Sequence, residues 1–281
     1  MLIFNNKADL SALLSTYTNV NAAIGFVPTM GALHKGHLSL LQKSVQENDV
    51  TVISIFVNPT QFNNADDLTK YPRTLEADVE KIKTVSDTII VFAPSVDEMY
   101  DGNTVSGHFS FDGLEHQMEG NHRPGHFDGV GTIVKKLFEI VTPTNAYFGE
   151  KDFQQLQIVK KLVEKTGMPI NVIGCPISRE ASGLAMSSRN ERLSPEDKDK
   201  AAFIYKVLNQ ARDLFATESI ANVKKYVYDA FAAHPEFEMD YFEITSEDDL
   251  IPANTKESKK YRGFIAVFLS NVRLIDNISL N

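Results

Sequence analysis

The chain has 281 residues, 43% hydrophobic and 23% charged, with a formal net charge of −9. This is the composition of a folded globular protein, long enough for one large core or two unequal ones, and its acidity argues against a nucleic-acid surface, which needs a basic patch. A single cysteine, Cys175, excludes an intrachain disulfide and a thiolate zinc site.

The amino terminus, Met1–Lys7, lacks the basic-then-apolar order of a signal peptide, and the longest apolar runs, Val52–Val57 and Thr88–Ala93, are too short to span a bilayer. A cytoplasmic protein with no membrane and no nucleic-acid partner is expected. Five short apolar runs are expected as strands: Ala22–Val27 (stopped by Pro28), Val50–Val57, Thr88–Phe92, Ala146–Phe148 and Ile170–Ile173. Helical periodicity falls between them at Leu38–Glu47, Leu75–Val85, Val130–Ile140 and Phe153–Lys165. Continuous apolar strands alternating with helices predict a doubly wound, Rossmann-like parallel sheet covered on both faces. Beyond Pro176 the pattern changes to two long helices, through Phe215 and over Ile220–Ala233, then strands at Phe237–Thr245, Gly263–Leu269 and Val272–Ile275. The division expected is a nucleotide-binding domain over residues 1–176 and a smaller α+β lid domain over 177–281. The acidic residues Glu236, Glu238, Asp240, Glu243, Glu247, Asp248 and Asp249 are expected to form a solvated face.

The richest segment is Ile24–Leu41. A strand runs into a turn, Met30-Gly31-Ala32-Leu33, and then a helix that begins at the tetrad His34-Lys35-Gly36-His37. Gly31 permits the turn, and Gly36 allows close backbone approach. A helix start favours anions, and two imidazoles projecting there are N–H donors for phosphate. No Gly-Lys-Ser/Thr follows, so this is not a Walker loop. Two readings stand at this point, a phosphate-binding turn and an ordinary solvated one.

Further polar clusters follow strands. Asn58-Pro59-Thr60-Gln61 is expected to aim two amides into a cleft at the sheet's carboxyl end, with Tyr71 flanking it. Glu119–Thr132, with Arg123, is a glycine-rich loop leading to a helix start at Val130, Ile133 and Val134. Gly149-Glu150-Lys151-Asp152 opens a helix with a cation at its start, and Gln155 comes one turn later. Met186-Ser187-Ser188-Arg189 offers two hydroxyls and a guanidinium, all phosphate donors.

Together, Val-Pro-Thr-Met-Gly-Ala-Leu-His, Asn-Pro-Thr-Gln-Phe, Arg-Pro-Gly-His-Phe, Gly-Glu-Lys-Asp and Met-Ser-Ser-Arg-Asn make the chain resemble the pantothenate synthetases, the ATP-dependent pantoate–β-alanine ligases. The likeness runs from Gly25 to Asn190, with a looser tail at Arg273–Asn277. The resemblance implies a carboxylate–amine ligase of coenzyme A precursor synthesis, related to nucleotidylyltransferases and class I aminoacyl-tRNA synthetases, which makes pantothenate, AMP and pyrophosphate through pantoyl adenylate. It implies ATP as co-substrate, Mg²⁺ carried mainly on the phosphates with no protein metal site, and a homodimer.

The resemblance also implies residue roles. His37, His34, Lys151 and Arg189 would be catalytic. The ATP site would comprise Met30, Gly31, Ala32, Leu33, His34, Lys35, Gly36, His37, Gly149, Glu150, Lys151, Asp152, Ser178, Met186, Ser187, Ser188 and Arg189. Pantoate and β-alanine would meet Met30, Asn58, Gln61, Tyr71, Val130, Val134 and Gln155. Lys35 stands where Glu is common and is expected to face solvent. Ser182 replaces a usual Asp, and Ser178 a usual apolar residue. An adenylyltransferase, a tRNA synthetase or a non-catalytic nucleotide sensor are the rival readings.

Overall fold

The computed structural model describes all 281 residues. The chain forms two compact units. The first holds residues 1–115, 119–150 and 154–176, and the second holds 116–118, 151–153 and 177–281.

In the first unit the elements are β1 (Leu2–Phe4), α1 (Lys7–Thr18), β2 (Ile24–Thr29), α2 (Lys35–Glu47), β3 (Val50–Ile55), α3 (Ala65–Lys70), α4 (Leu75–Lys83), β4 (Ile90–Phe92), α5 (Val96–Tyr100), α6 (Met118–His122), α7 (His126–Val141), β5 (Asn145–Gly149), α8 (Phe153–Thr166) and β6 (Asn171–Cys175). The strands form a six-stranded, wholly parallel sheet in the order β1-β4-β3-β2-β5-β6. The inner strands are buried because they are runs of β-branched and aromatic residues, including Phe26, Val27, Val52, Ile53, Val91 and Phe92, all fully enclosed. Winding reverses between β2 and β5. The crevice at such a reversal, outside the strands' carboxyl ends, is where open α/β sheets bind ligands. Here it is bounded by Thr29–Met30 and by Phe148–Gly149.

Three expectations are corrected. β2 is the second strand, not the first, because β1 and α1 precede it. Pro28 does not stop β2, which runs to Thr29 with Pro28 opposite Ser54. The ladder to β5 ends at Phe26, so the missing N–H costs no bond with that strand. The helix expected from Val130 begins at His126, one turn earlier.

The second unit contains α9 (Pro195–Phe215), α10 (Ile220–Ala232), β7 (Phe237–Ser246), β8 (Tyr261–Leu269) and β9 (Val272–Ser279). Its antiparallel sheet, in the order β7-β8-β9, shares a core with the two helices through Ile204, Leu208, Val223, Val227, Phe242 and Ile265. The acidic face is partly neutralised rather than simply solvated. Glu243 pairs with Lys224 at 2.7 Å, Glu247 with Arg262 at 2.8 Å and Asp240 with Arg273 at 2.8 Å.

Candidate active site

The turn between β2 and α2 is held in an unusual backbone conformation. Gly31 has φ +83° and Ala32 has φ +49°, a left-handed pair that only glycine adopts without strain. On one side the turn meets a cavity of about 290 Å³ lined by Met30, Gly31, Phe56, Arg73 and Pro94, so packing alone does not hold it. A polar clamp from α4 does. The fully buried Asp78 carboxylate accepts the N–H of Ala32 (2.9 Å) and of Leu33 (2.7 Å). The Thr74 hydroxyl donates to the same carboxylate at 3.1 Å, and Lys81 Nζ donates to the Leu33 carbonyl at 2.6 Å. Sequence reasoning missed Asp78, because its partners lie more than forty residues away.

At the end of this turn His34 is the N-cap of α2 and His37 the third residue of its first turn. The two rings stack 4.0 Å apart, tilted by 33°. His34 Nδ1 accepts the Gly36 N–H at 3.2 Å, and His37 Nδ1 accepts the His34 N–H at 3.3 Å. The expected row of open helix-start N–H groups is therefore partly closed by the imidazoles themselves. An Nδ1 that accepts places the proton of a neutral ring on Nε2. Both histidines thus carry an Nε2–H donor at a helix start, where the backbone field favours anions. Lys35 is exposed, as expected.

Asn58 and Gln61 sit at the end of β3, buried to 1% and 9% exposure. Asn58 does not present its amide to the cleft. Its Nδ2 donates to Gln61 Oε1 (3.1 Å) and to the Gly129 carbonyl (3.2 Å), while its Oδ1 accepts from the Tyr100 hydroxyl (2.5 Å) and from Thr60 (3.2 Å). Burial pushes the Tyr100 hydroxyl's pKa up, so it stays a neutral donor. Asn58 therefore fixes the Gln61 amide. With Oε1 taken, Gln61 turns its NH₂ toward Met30 Sδ at 3.2 Å, leaving a donor suited to a carboxylate or hydroxyl. Its main-chain carbonyl is held by His126 Nδ1 (2.8 Å) and Arg123 (3.2 Å).

Gly129 makes this packing possible. A Cβ there would lie 2.4 Å from the Thr60 carbonyl oxygen, so any side chain would push α7 off the Asn58–Gln61 segment. Sequence reasoning singled out neither Tyr100 nor Gly129 as a site support.

Val130, Ile133 and Val134 on α7 are buried, and so is Phe148, which meets Phe138 edge-on. Tyr71 is buried edge-on against Phe62. Gln155 and Glu150 are half-buried, and Gly149 borders open space.

In the second unit, Ser178 and Met186 are joined by an N–H to carbonyl bond of 3.0 Å, closing a small hairpin with Arg179 opposite Ala185. The Ser182 hydroxyl accepts the Leu184 N–H at 3.4 Å, a turn role open to either Ser or Asp. Ser187 caps the short turn Ser188–Arg192 by accepting the Arg189 N–H at 3.2 Å. Lys151 lies 3.7 Å from Asp152 with its side chain 16% exposed.

A doubly wound parallel sheet with a histidine pair at the helix start just beyond β2, beside the reversal point, is the architecture of an α/β nucleotide-handling enzyme. Residues 2–279 match the model of the family described as Pantoate-beta-alanine ligase, and the chain belongs to that family. It is 60% identical to a pantothenate synthetase of Flavobacterium psychrophilum, over the full length of both chains. A crystal structure of pantothenate synthetase from Thermus thermophilus is 40% identical and superposes with a TM-score of 0.92, covering 100% of this chain and 99% of that one. A Francisella tularensis pantoate-beta-alanine ligase, complexed with beta-gamma ATP and beta-alanine, is 35% identical, with a TM-score of 0.82 over 100% and 98% of the two chains.

Proposed function

We infer that this chain joins pantoate to β-alanine at the expense of ATP, giving pantothenate, AMP and pyrophosphate by way of pantoyl adenylate. The observation that carries the reading is the pair of stacked imidazoles at the start of α2, each with Nδ1 accepting a main-chain N–H, which makes Nε2–H the donor of the neutral ring.

A carboxylate is a poor electrophile, since its charge repels nucleophiles and oxide is a poor leaving group. Attack of a pantoate carboxylate oxygen on the α-phosphorus of ATP breaks the α–β phosphoanhydride bond and releases pyrophosphate. The amine of β-alanine then attacks the acyl carbon, and AMP leaves. The first step concentrates negative charge on the departing phosphates. His34, His37, Lys151, Ser187, Ser188 and Arg189 are assigned to stabilise it, since all are N–H or O–H donors. The remaining ATP contacts are assigned to Met30–Gly36, Gly149, Glu150, Asp152, Ser178 and Met186.

Gln61, with its donor edge fixed beside Met30, is assigned to pantoate together with Gln155. Val130 and Val134 supply the apolar wall, while Asn58 acts through Gln61 and Tyr71 through packing. Mg²⁺ bound to the phosphates would neutralise the leaving group.

The second unit is assigned the role of lid, which would keep water from the adenylate. A homodimer is part of the same reading, as is a cytoplasmic setting, and no helix is long and apolar enough to cross a membrane.

The test is a product assay with ATP and Mg²⁺. Pantothenate and AMP should appear in equal amounts only when pantoate and β-alanine are both present. AMP produced from an unrelated carboxylate at the same rate, or ADP in place of AMP, would overturn the reading.

A further inference from the structure

The tail Arg273–Asn277 has no role in the chemistry above, yet two of its residues are among the most buried polar groups of the second unit: Asp276 at 4% and Asn277 at 1% exposure. We infer that Asp276 and Asn277 on β9 are positioning residues that set the main chain of Lys151 and the hairpin leading to Ser187–Arg189 for the nucleotide phosphates. This rests on the assignment of those residues to ATP.

Asn277 reaches Lys151 directly. Its Nδ2 donates to the Lys151 carbonyl at 2.9 Å, across 126 residues of sequence. The other end of the amide is fixed, since Arg262 donates to Asn277 Oδ1 at 2.7 Å. Arg262 is itself locked by Glu247 at 2.8 Å and by stacking 4.0 Å over the Phe153 ring, two residues beyond Lys151. The Asn277 amide can therefore take only one orientation, the one that donates to Lys151.

Asp276 reaches the hairpin through Arg179. The guanidinium grips both carboxylate oxygens, at 2.6 and 2.9 Å, and donates to the Gly183 carbonyl at 3.1 Å. It lies 3.8 Å over the Tyr205 ring. Asp276 Oδ1 also accepts the Asn277 N–H at 2.8 Å, so the two anchors are tied to each other. A buried ion pair is a poor source of stability but an exacting fixer of geometry, because a bidentate fork tolerates little displacement. That suits a device whose product is alignment.

The test uses the full-length enzyme in the pantothenate-forming assay. Asn277→Asp keeps the acceptor for Arg262 but replaces the donor to Lys151 with a carboxylate oxygen, which the Lys151 carbonyl repels. Asn277→Ser is made beside it, so that the measurement survives if one variant does not fold. The expected result is a rise of about tenfold in KM for ATP, or a matching fall in kcat, with KM for pantoate within about twofold of the parent. The same substitution in a Lys151→Ala background should change these values by less than about twofold, since its effect runs through Lys151. Arg179→Lys, which keeps charge but loses the fork, should also raise KM for ATP selectively. Equal losses in the parent and Lys151→Ala backgrounds, or equal rises in both substrates' KM, would overturn the inference and leave the ATP assignment intact. A Lys151→Ala enzyme with unchanged ATP kinetics would instead overturn the assignment beneath it.

Discussion

Asp78→Ala tests whether the turn before the histidine pair is held by α4. The substitution strips the acceptor from two backbone N–H groups, Ala32 at 2.9 Å and Leu33 at 2.7 Å, the latter in fully buried surroundings. Hydrogen bonds to a charged acceptor contribute about 1.5–3 kcal/mol each, and the half-buried Ala32 group can recover a water, so the expected loss is about 2–4 kcal/mol. Part of that loss is felt locally. Ala32 is held at φ +49° against a left-handed penalty of about 1–2 kcal/mol, and without its clamp the turn relaxes toward ordinary backbone angles. Met30 and His34 flank the turn, and a displacement of about 1 Å at a reacting centre costs on the order of 10²-fold in rate. Urea unfolding followed by circular dichroism gives the stability, and steady-state pantothenate formation gives kcat. The exposed Asp87→Ala serves as control. A parental urea midpoint together with kcat within twofold would refute the reasoning.

Four other outcomes are expected. Gly129→Ala, whose Cβ would sit 2.4 Å from the Thr60 oxygen, should cost about 1–3 kcal/mol in overpacking and raise KM for pantoate far more than for ATP, as steady-state kinetics with each substrate varied will read. Tyr100→Phe removes the donor to Asn58 and should raise KM for pantoate by roughly fivefold, the worth of about 1 kcal/mol, with KM for ATP unchanged. His37→Ala should lower turnover by roughly 10²–10³, the usual effect of losing one transition-state donor, measured as AMP release. Burial pushes the Cys175 thiol's pKa up from 9.0 to about 11, so the folded chain holds its proton where the unfolded chain has lost it. Between those values stability falls as pH rises. At pH 8 the native thiol should react with a disulfide reagent at least tenfold more slowly than in urea, and equal rates would contradict the assignment.

The alternation of strands and helices was legible because each inner strand is a continuous apolar run and each covering helix carries a stripe. The first elements were not. β1 is three residues, and α1, Lys7–Thr18, is rich in Ser and Thr, with only Leu10 and Leu14 buried. The site divides along the same physical line. His34, His37, Asn58, Gln61, Lys151 and Ser187–Arg189 lie just beyond strands or in glycine-bearing loops, where local pattern signals chemistry.

Their supports were hidden because each acts over a long sequence separation. Asp78 looks like one more polar residue of an amphipathic helix, Tyr100 ends a five-residue helix 42 residues from Asn58, and Asn277 meets Lys151 from the far end of the chain. Asn58 was misread for a related reason. Its type suits a ligand, but only the fold reveals that its hydrogen-bonding capacity goes to Gln61 and its neighbours.

The central claim is that ATP activates pantoate before any amine is needed. Isotope exchange of labelled pyrophosphate into ATP, with pantoate and Mg²⁺ present and β-alanine absent, tests it most directly. Exchange is expected under these conditions, none without pantoate, and release of AMP and pantothenate in equal amounts once β-alanine is added. Exchange that appears only when β-alanine is present would contradict it, because the three substrates would then react in a single concerted step with no adenylate to protect.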